Sequence, residues 1–209
     1  MQYNSFNSNL NLNRKFLIMD EGIVFSFEKA HEIFGNSRRT CALWIATKIN
    51  GPIVWIRPDW FSDQLFPDGI IGWVNPGRLI TISTGCSNDI LWAAEEALRS
   101  GITKLVVLEI TTHPTLKSVR RLNLAAETGR KERDNHALCL MLTSQNGGVQ
   151  GAESRWSMSM QHTARETMWE LECIKSRHTP PSTWKLENNL NANQYFFDVH
   201  HRGNSTKNI

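Results

Sequence analysis

Leu105-Val106-Val107-Leu108-Glu109-Ile110, then a helix-like stretch from Thr115 to Thr128, then Ala137-Leu138-Cys139-Leu140-Met141-Leu142: this alternation decides the fold. The two outer runs are continuously apolar through four or more residues, as strands covered on both faces are. The middle stretch places Leu116, Val119 and Leu122 or Leu124 at helical spacing, capped by Thr115 and stopped by Gly129. Upstream the pattern repeats. Ala30-His31-Glu32-Ile33-Phe34 reads as a strand, Thr40 to Ile49 as a mostly buried helix, and Ile53-Val54-Trp55-Ile56 as a short buried strand. Asp59 to Pro76, rich in Pro, Gly and Asp, reads as a loop holding a short helix. Arg78 to Ser83 is the next strand, and Asn88 to Ser100 a helix with Ser87 as N-cap and Gly101 as stop. Strands joined by helices of crossover length predict an α/β fold: an open, mostly parallel sheet with helices on both faces.

Beyond Ser144 the period changes. Gln145 to Gly151 reads as a flexible loop. Trp156, Met158 and Met160 then alternate with polar residues, as do Trp169, Leu171 and Cys173, and Trp184 and Leu186, with a turn at His178 to Ser182. This predicts an antiparallel C-terminal extension. The expected organisation is a disordered tail over 1–15, one domain over 16–188 and a flexible tail over 189–209, where Tyr195-Phe196-Phe197 would make a docking anchor.

Composition narrows the function classes. The 209 residues carry 23 Lys plus Arg against 20 Asp plus Glu, a net charge of +3, which permits a nucleic-acid partner without requiring one. No apolar run approaches the ~18 residues of a membrane span, and the opening is polar and Asn-rich rather than a signal peptide, so a cytoplasmic protein without a membrane partner is expected. Cys41, Cys86, Cys139 and Cys173 form no C-x-x-C pair, so free thiols and no metal site are expected.

The unit from Ala30 to Ile49 is where a phosphate-cradling loop would stand. Such a loop needs G-x-x-x-x-G-K-[ST], so that backbone N–H groups wrap the phosphates, the Lys reaches the outer ones and the hydroxyl holds Mg²⁺. Counting from Gly35, Thr40, Cys41 and Ala42 fall where Gly, Lys and Ser/Thr are required. Arg39-Thr40 imitates Lys-Thr only in a loop two residues shorter, without a second glycine. Gly35, Arg38, Arg39 and Thr40 therefore read as a vestigial nucleotide site, with Asp59 and Glu109, the acids that follow two buried strands, on its metal side. No cofactor and no ATP turnover are expected. A solvated basic turn is preferred over a weak anion site at Arg38 and Arg39. Lys117, Arg120 and Arg121 form a positive stripe on one helix, suited to DNA or an acidic protein surface. Arg155 joins them as a candidate, either facing DNA or bridging within the sheet. No catalytic triad or paired-carboxylate arrangement can be assembled.

Trp92-Ala93-Ala94-Glu95-Glu96-Ala97-Leu98-Arg99-Ser100-Gly101 and Arg120-Arg121-Leu122-Asn123-Leu124-Ala125-Ala126-Glu127-Thr128-Gly129 carry a further signal, with Gly51 to Ile56, Asn75 to Ile80, Leu108-Glu109, Glu153 to Trp156 and Trp169 to Glu172 in the same order. Together, over roughly residues 28–188, the chain resembles the ImuA family of bacterial RecA-like proteins, more distantly related to the SulA division inhibitors. The resemblance implies a RecA-like core and a role in the SOS response to DNA damage, in the cytoplasm at the nucleoid. It implies as partners an ImuB-type Y-family polymerase homologue, an error-prone C-family polymerase and RecA, in mutagenic translesion synthesis. It further implies an accessory factor rather than a recombinase. Two other readings stand beside it: residual ATP and DNA binding through Arg39-Thr40 and Glu109, and a SulA-like inhibitor of division, which overexpression would reveal as filamentous cells.

Overall fold

The computed structural model describes residues 15–20, 22–144, 146–191 and 194–204. Its eleven strands and four α-helices run β1(Phe16–Asp20), β2(Ile23–Ser26), β3(Ala30–Phe34), α1(Arg38–Thr47), β4(Ile53–Pro58), α2(Pro67–Ile70), β5(Leu79–Thr84), α3(Ser87–Arg99), β6(Leu105–Glu109), α4(Leu116–Arg133), β7(Leu138–Leu142), β8(Ser154–Met160), β9(Met168–Ser176), β10(Ser182–Asn191) and β11(Gln194–Asn204). Nine strands form one sheet in the order β11-β10-β9-β8-β3-β7-β6-β4-β5, and β1 pairs with β2 alone. From β5 to β8 the neighbours are parallel; from β8 to β11 they are antiparallel. The architecture is therefore α/β, with a mostly parallel core and an antiparallel C-terminal extension, as the sequence predicts. No helix among the described residues is long and apolar enough to cross a membrane.

Alternation along the central strands splits the interior in two. Ile53, Trp55, Leu105, Val107, Leu138, Leu140 and Leu142 point to the face covered by α1 and the β1–β2 pair. Val54, Ile56, Val106, Leu108, Cys139 and Met141 point to the face covered by α3 and α4. Burial on both sides explains the unbroken apolar runs of β6 and β7. The helices α3 and α4 touch through glycine: a Cβ on Gly129 would stand 2.2 Å from the Leu98 carbonyl oxygen. Gly129 thus permits close packing inside α4 rather than ending it. The helix runs four residues further, to a left-handed Asp134 (φ 50°). Thr115 caps it as expected, accepting from the Ser118 N–H. Ser87, by contrast, is the first residue of α3; Cys86 is the N-cap and its side chain makes no capping bond.

Two elements were not anticipated. The antiparallel β1–β2 pair buries Leu17, Met19, Ile23 and Phe25. Its two strands total only nine residues, too short to stand out in a window of helical length. The expected tail over 189–209 is corrected: β10 continues to Asn191 and β11 runs to Asn204. The physical reason is aromatic packing. Phe197, 7% exposed, lies against Trp44, Trp73 and Trp169 at ring-centroid distances of 5.3, 5.0 and 4.9 Å, and the Tyr195 N–H donates to the Gly72 carbonyl at 2.6 Å. Phe197 and Tyr195 thus serve the fold of this chain instead of offering an anchor to another. Residues 1–14 and 205–209, and Gln145 of the expected flexible loop, lie outside the described residues.

A buried polar relay ties β2, β3 and β8 together. The Trp156 indole N–H donates to Ser154 Oγ at 2.7 Å, Ser154 Oγ meets His31 Nδ1 at 2.6 Å, and His31 Nε2 meets the Ser26 carbonyl at 2.9 Å. These partners assign Ser154 as donor to a neutral imidazole protonated on Nε2. Burial, reinforced by the charge of His178, lowers the His31 pKa from 6.5 to about 4 against the raising effect of the Ser26 bond. As pH falls below 6.5 the unfolded chain takes up the proton while the folded chain does not. Stability is therefore full above pH 6.5 and declines until about pH 4, by on the order of 3 kcal/mol. Urea midpoints measured across that window should fall for the native chain and fall much less for His31→Gln.

Candidate functional site

The carboxyl ends of the parallel strands are where an α/β sheet places its ligands, and the predicted vestigial residues gather there. The connection from β3 to α1 is Gly35-Asn36-Ser37, since β3 ends at Phe34 and α1 begins at Arg38. That is too short to wrap a triphosphate, and several of its polar groups are already engaged. The Ser37 N–H donates to the Met158 carbonyl at 3.1 Å, and Asn36 Oδ1 accepts from the Met160 N–H at 3.0 Å. Arg38 folds back onto the Gly35 carbonyl at 3.2 Å. Gly35 has φ +96°, and a Cβ there would stand 2.3 Å from the Met158 carbonyl oxygen. The glycine is required by the close approach of β8, not by a phosphate. Gly35→Ala should lower stability by at least about 1 kcal/mol, read as a drop in urea midpoint.

Arg39 and Thr40 lie in the first turn of α1. Arg39 reaches 70 positions along the chain to Glu109 at the end of β6, with Nε 3.1 Å from Oε1 and 3.0 Å from Oε2, and Nη2 2.7 Å from Oε2. The Trp55 indole N–H donates to the same Oε1 at 2.7 Å. Glu109 is 2% exposed and the Arg39 side chain 23%. A guanidinium seated on both oxygens, with an indole on one, leaves that carboxylate little capacity for a metal. Arg57 is 4% exposed on β4. It donates to the Phe61 carbonyl, and its Nε has no partner among the described residues. An arginine seated on a buried carboxylate makes the corner hostile to a divalent cation. Asp59, exposed at the end of β4, forms no ion pair among the described residues; its N–H donates to Thr84 at 3.0 Å. The structure thus brings Arg39 and Glu109 together and leaves Asp59 outside. Sequence reasoning missed Trp55 and Arg57 because each reads as an ordinary position of a buried strand.

Cys41 and Cys139 are buried, and burial pushes both thiols up to about 12, so they act as small apolar side chains. Among the described residues no cluster of His, Cys, Asp or Glu is placed to hold a metal.

The positive stripe divides. Arg155 turns into the sheet: its Nε lies 2.6 Å from Oε2 of Glu32, which is fully buried, and its Nη2 donates to the Val149 carbonyl at 3.1 Å. Glu32 also accepts from Thr143 Oγ1 at 2.9 Å and the Val149 N–H at 3.0 Å. Of the two roles open to it, Arg155 takes the bridge within the sheet, joining β8 to β3. Arg121 bridges to the buried Glu95 of α3 at 2.7 Å. Lys117 and Arg120 are exposed, without an ion pair among the described residues. No protein-family model matches the chain, and no curated protein matches it. Within the fold, the segments Trp92 to Gly101 and Arg120 to Gly129 are joined directly, by Glu95 with Arg121 and by Leu98 against Gly129.

Proposed function

We propose that the chain is a non-catalytic, RecA-like accessory protein of the SOS response, acting with an ImuB-type Y-family polymerase homologue and an error-prone C-family polymerase in translesion synthesis. The carrying observation is the ion pair between Arg39 and Glu109, which occupies the corner where a phosphate loop and a metal-orienting acid would otherwise meet. The strand–turn–helix unit, the central place of β3 and the acid at the end of β6 support a nucleotide-type ancestry. The short, internally bonded turn supports loss of the chemistry. What such a scaffold retains is surface. The choice of partners rests on the two sequence segments now found side by side on α3 and α4.

The test is co-purification with the polymerase homologue in gentle salt. Retention of a stoichiometric complex that forms equally with and without Mg·ATP is the expected result. Absence of any complex, with both chains folded, would overturn the reading.

A further inference from the structure

We propose that the outer face of the α3–α4 pair is a docking surface for an acidic amphipathic helix of a protein partner. The proposal rests on the adaptor reading and names the chemistry of its partner. Trp92 on α3 and Leu124 on α4 are each 61% exposed, and Leu116, at the start of α4, is 38% exposed. Single exposed apolar residues need no explanation, but these stand on two helices that touch each other. Trp92 lies three residues before Glu95, and Leu124 lies three residues after Arg121. They therefore flank the bridge from Arg121 to Glu95, one from each helix. Lys117 lies one turn before Arg121 on the same side of α4, and Arg120 one turn before Leu124.

Charge selects the occupant. The helix α4 carries six cations and two carboxylates. Of the acids of α3 about one turn from Trp92, Glu95 bridges to Arg121, Glu96 pairs with Arg99 along its own helix, and Asp89 lies in the first turn, where the helix dipole favours it. Lys117 and Arg120 are left to meet carboxylates from outside. Aromatic and arginine side chains ringed by charge are the residues that dominate protein interfaces.

DNA fits this face less well. Leu116 and Leu124 are aliphatic and offer no stacking platform. A helix bearing leucines on one side and glutamates along its flanks meets both the exposed apolar residues and the cations Lys117 and Arg120.

The probe is a fluorescently labelled peptide of about 18 residues, with Leu at i, i+3, i+4 and i+7 and Glu on the flanks. A scrambled peptide of the same composition, an 18-nucleotide single strand and an 18-base-pair duplex are its competitors. Anisotropy titrations with the full chain should show saturable binding that weakens as salt rises. Trp92→Ala with Leu124→Ala, and separately Lys117→Glu with Arg120→Glu, should each weaken it at least tenfold. The scrambled peptide should bind at least tenfold more weakly than the probe. All these positions are exposed, and circular dichroism checks that each variant folds. No binding by about 0.1 mM peptide, equal binding of the scramble, or unaltered affinity in both variants would overturn the proposal. So would DNA binding that the same variants abolish while peptide binding persists. The polymerase complex separates the two readings: a complex that survives both variants sinks this surface and spares the adaptor, whereas no complex with the native chain sinks the adaptor itself.

Discussion

Arg39→Ala should cost the fold about 3–5 kcal/mol, the loss expected when one member of a buried ion pair is removed and the other is stranded. Glu109 is 2% exposed and would keep only the Trp55 indole as a partner. Neutralising it by protonation, or drawing the loop after β4 inward, recovers part of that cost but not all. Removing both charges should do less harm. Arg39→Ala with Glu109→Leu should return to within about 2 kcal/mol of the native chain, the remainder being the unpaired indole N–H. Urea denaturation of the four proteins in the cycle measures this. If Arg39→Ala alone costs less than about 1 kcal/mol, the pair behaves as a surface ion pair, and it does not hold the corner shut.

The second large effect belongs to Glu32 on β3, the parallel neighbour of β8, beyond which the sheet becomes antiparallel. Glu32→Ala should also cost about 3–5 kcal/mol. It strands the Arg155 guanidinium, the Thr143 hydroxyl and the Val149 N–H at once, and all three lie at the seam between β3, β7 and β8. Arg155→Ala should cost less, about 2 kcal/mol, because the carboxylate keeps two donors and the Arg155 side chain was 24% exposed. Differential scanning calorimetry reads both as falls in Tm. Arg155→Ala should leave any affinity for single-stranded DNA unchanged, since its guanidinium faces Glu32. A weaker DNA affinity with unaltered Tm would return Arg155 to the nucleic-acid surface.

What could be read in the sequence follows from how local each signal is. β4, β6 and β7 declare themselves because burial on both faces demands unbroken apolar runs. The Trp-bearing strands β8, β9 and β10 declare themselves by alternation. The parallel-then-antiparallel architecture follows from those two patterns together. The strand β11 is hidden because it has no clean alternation and follows a polar, Asn-rich stretch; Phe197 secures it in a hollow made by Trp44, Trp73 and Trp169 from three distant segments, together with the Tyr195 N–H on Gly72. The vestigial corner was legible as a set of residues and not as an arrangement. Arg39 and Glu109 could be named from their positions after β3 and on β6. Their mutual engagement, 70 residues apart, is a matter of three dimensions. Arg155 was ambiguous for the same reason, since its partner lies 123 positions away and becomes a neighbour only through the register of β3 with β8.

The claim on which the account turns is that the phosphate corner is filled by its own side chains. Thermal unfolding of the native chain over a rising series of Mg·ATP concentrations tests it most directly. A nucleotide held at one hundred times its Kd would stabilise the fold by about 2.7 kcal/mol, several degrees in Tm for a chain of this size. The account predicts a Tm that does not move with Mg·ATP at any concentration in the series. A saturable rise, lost when Thr40 is replaced by Ala, would contradict it.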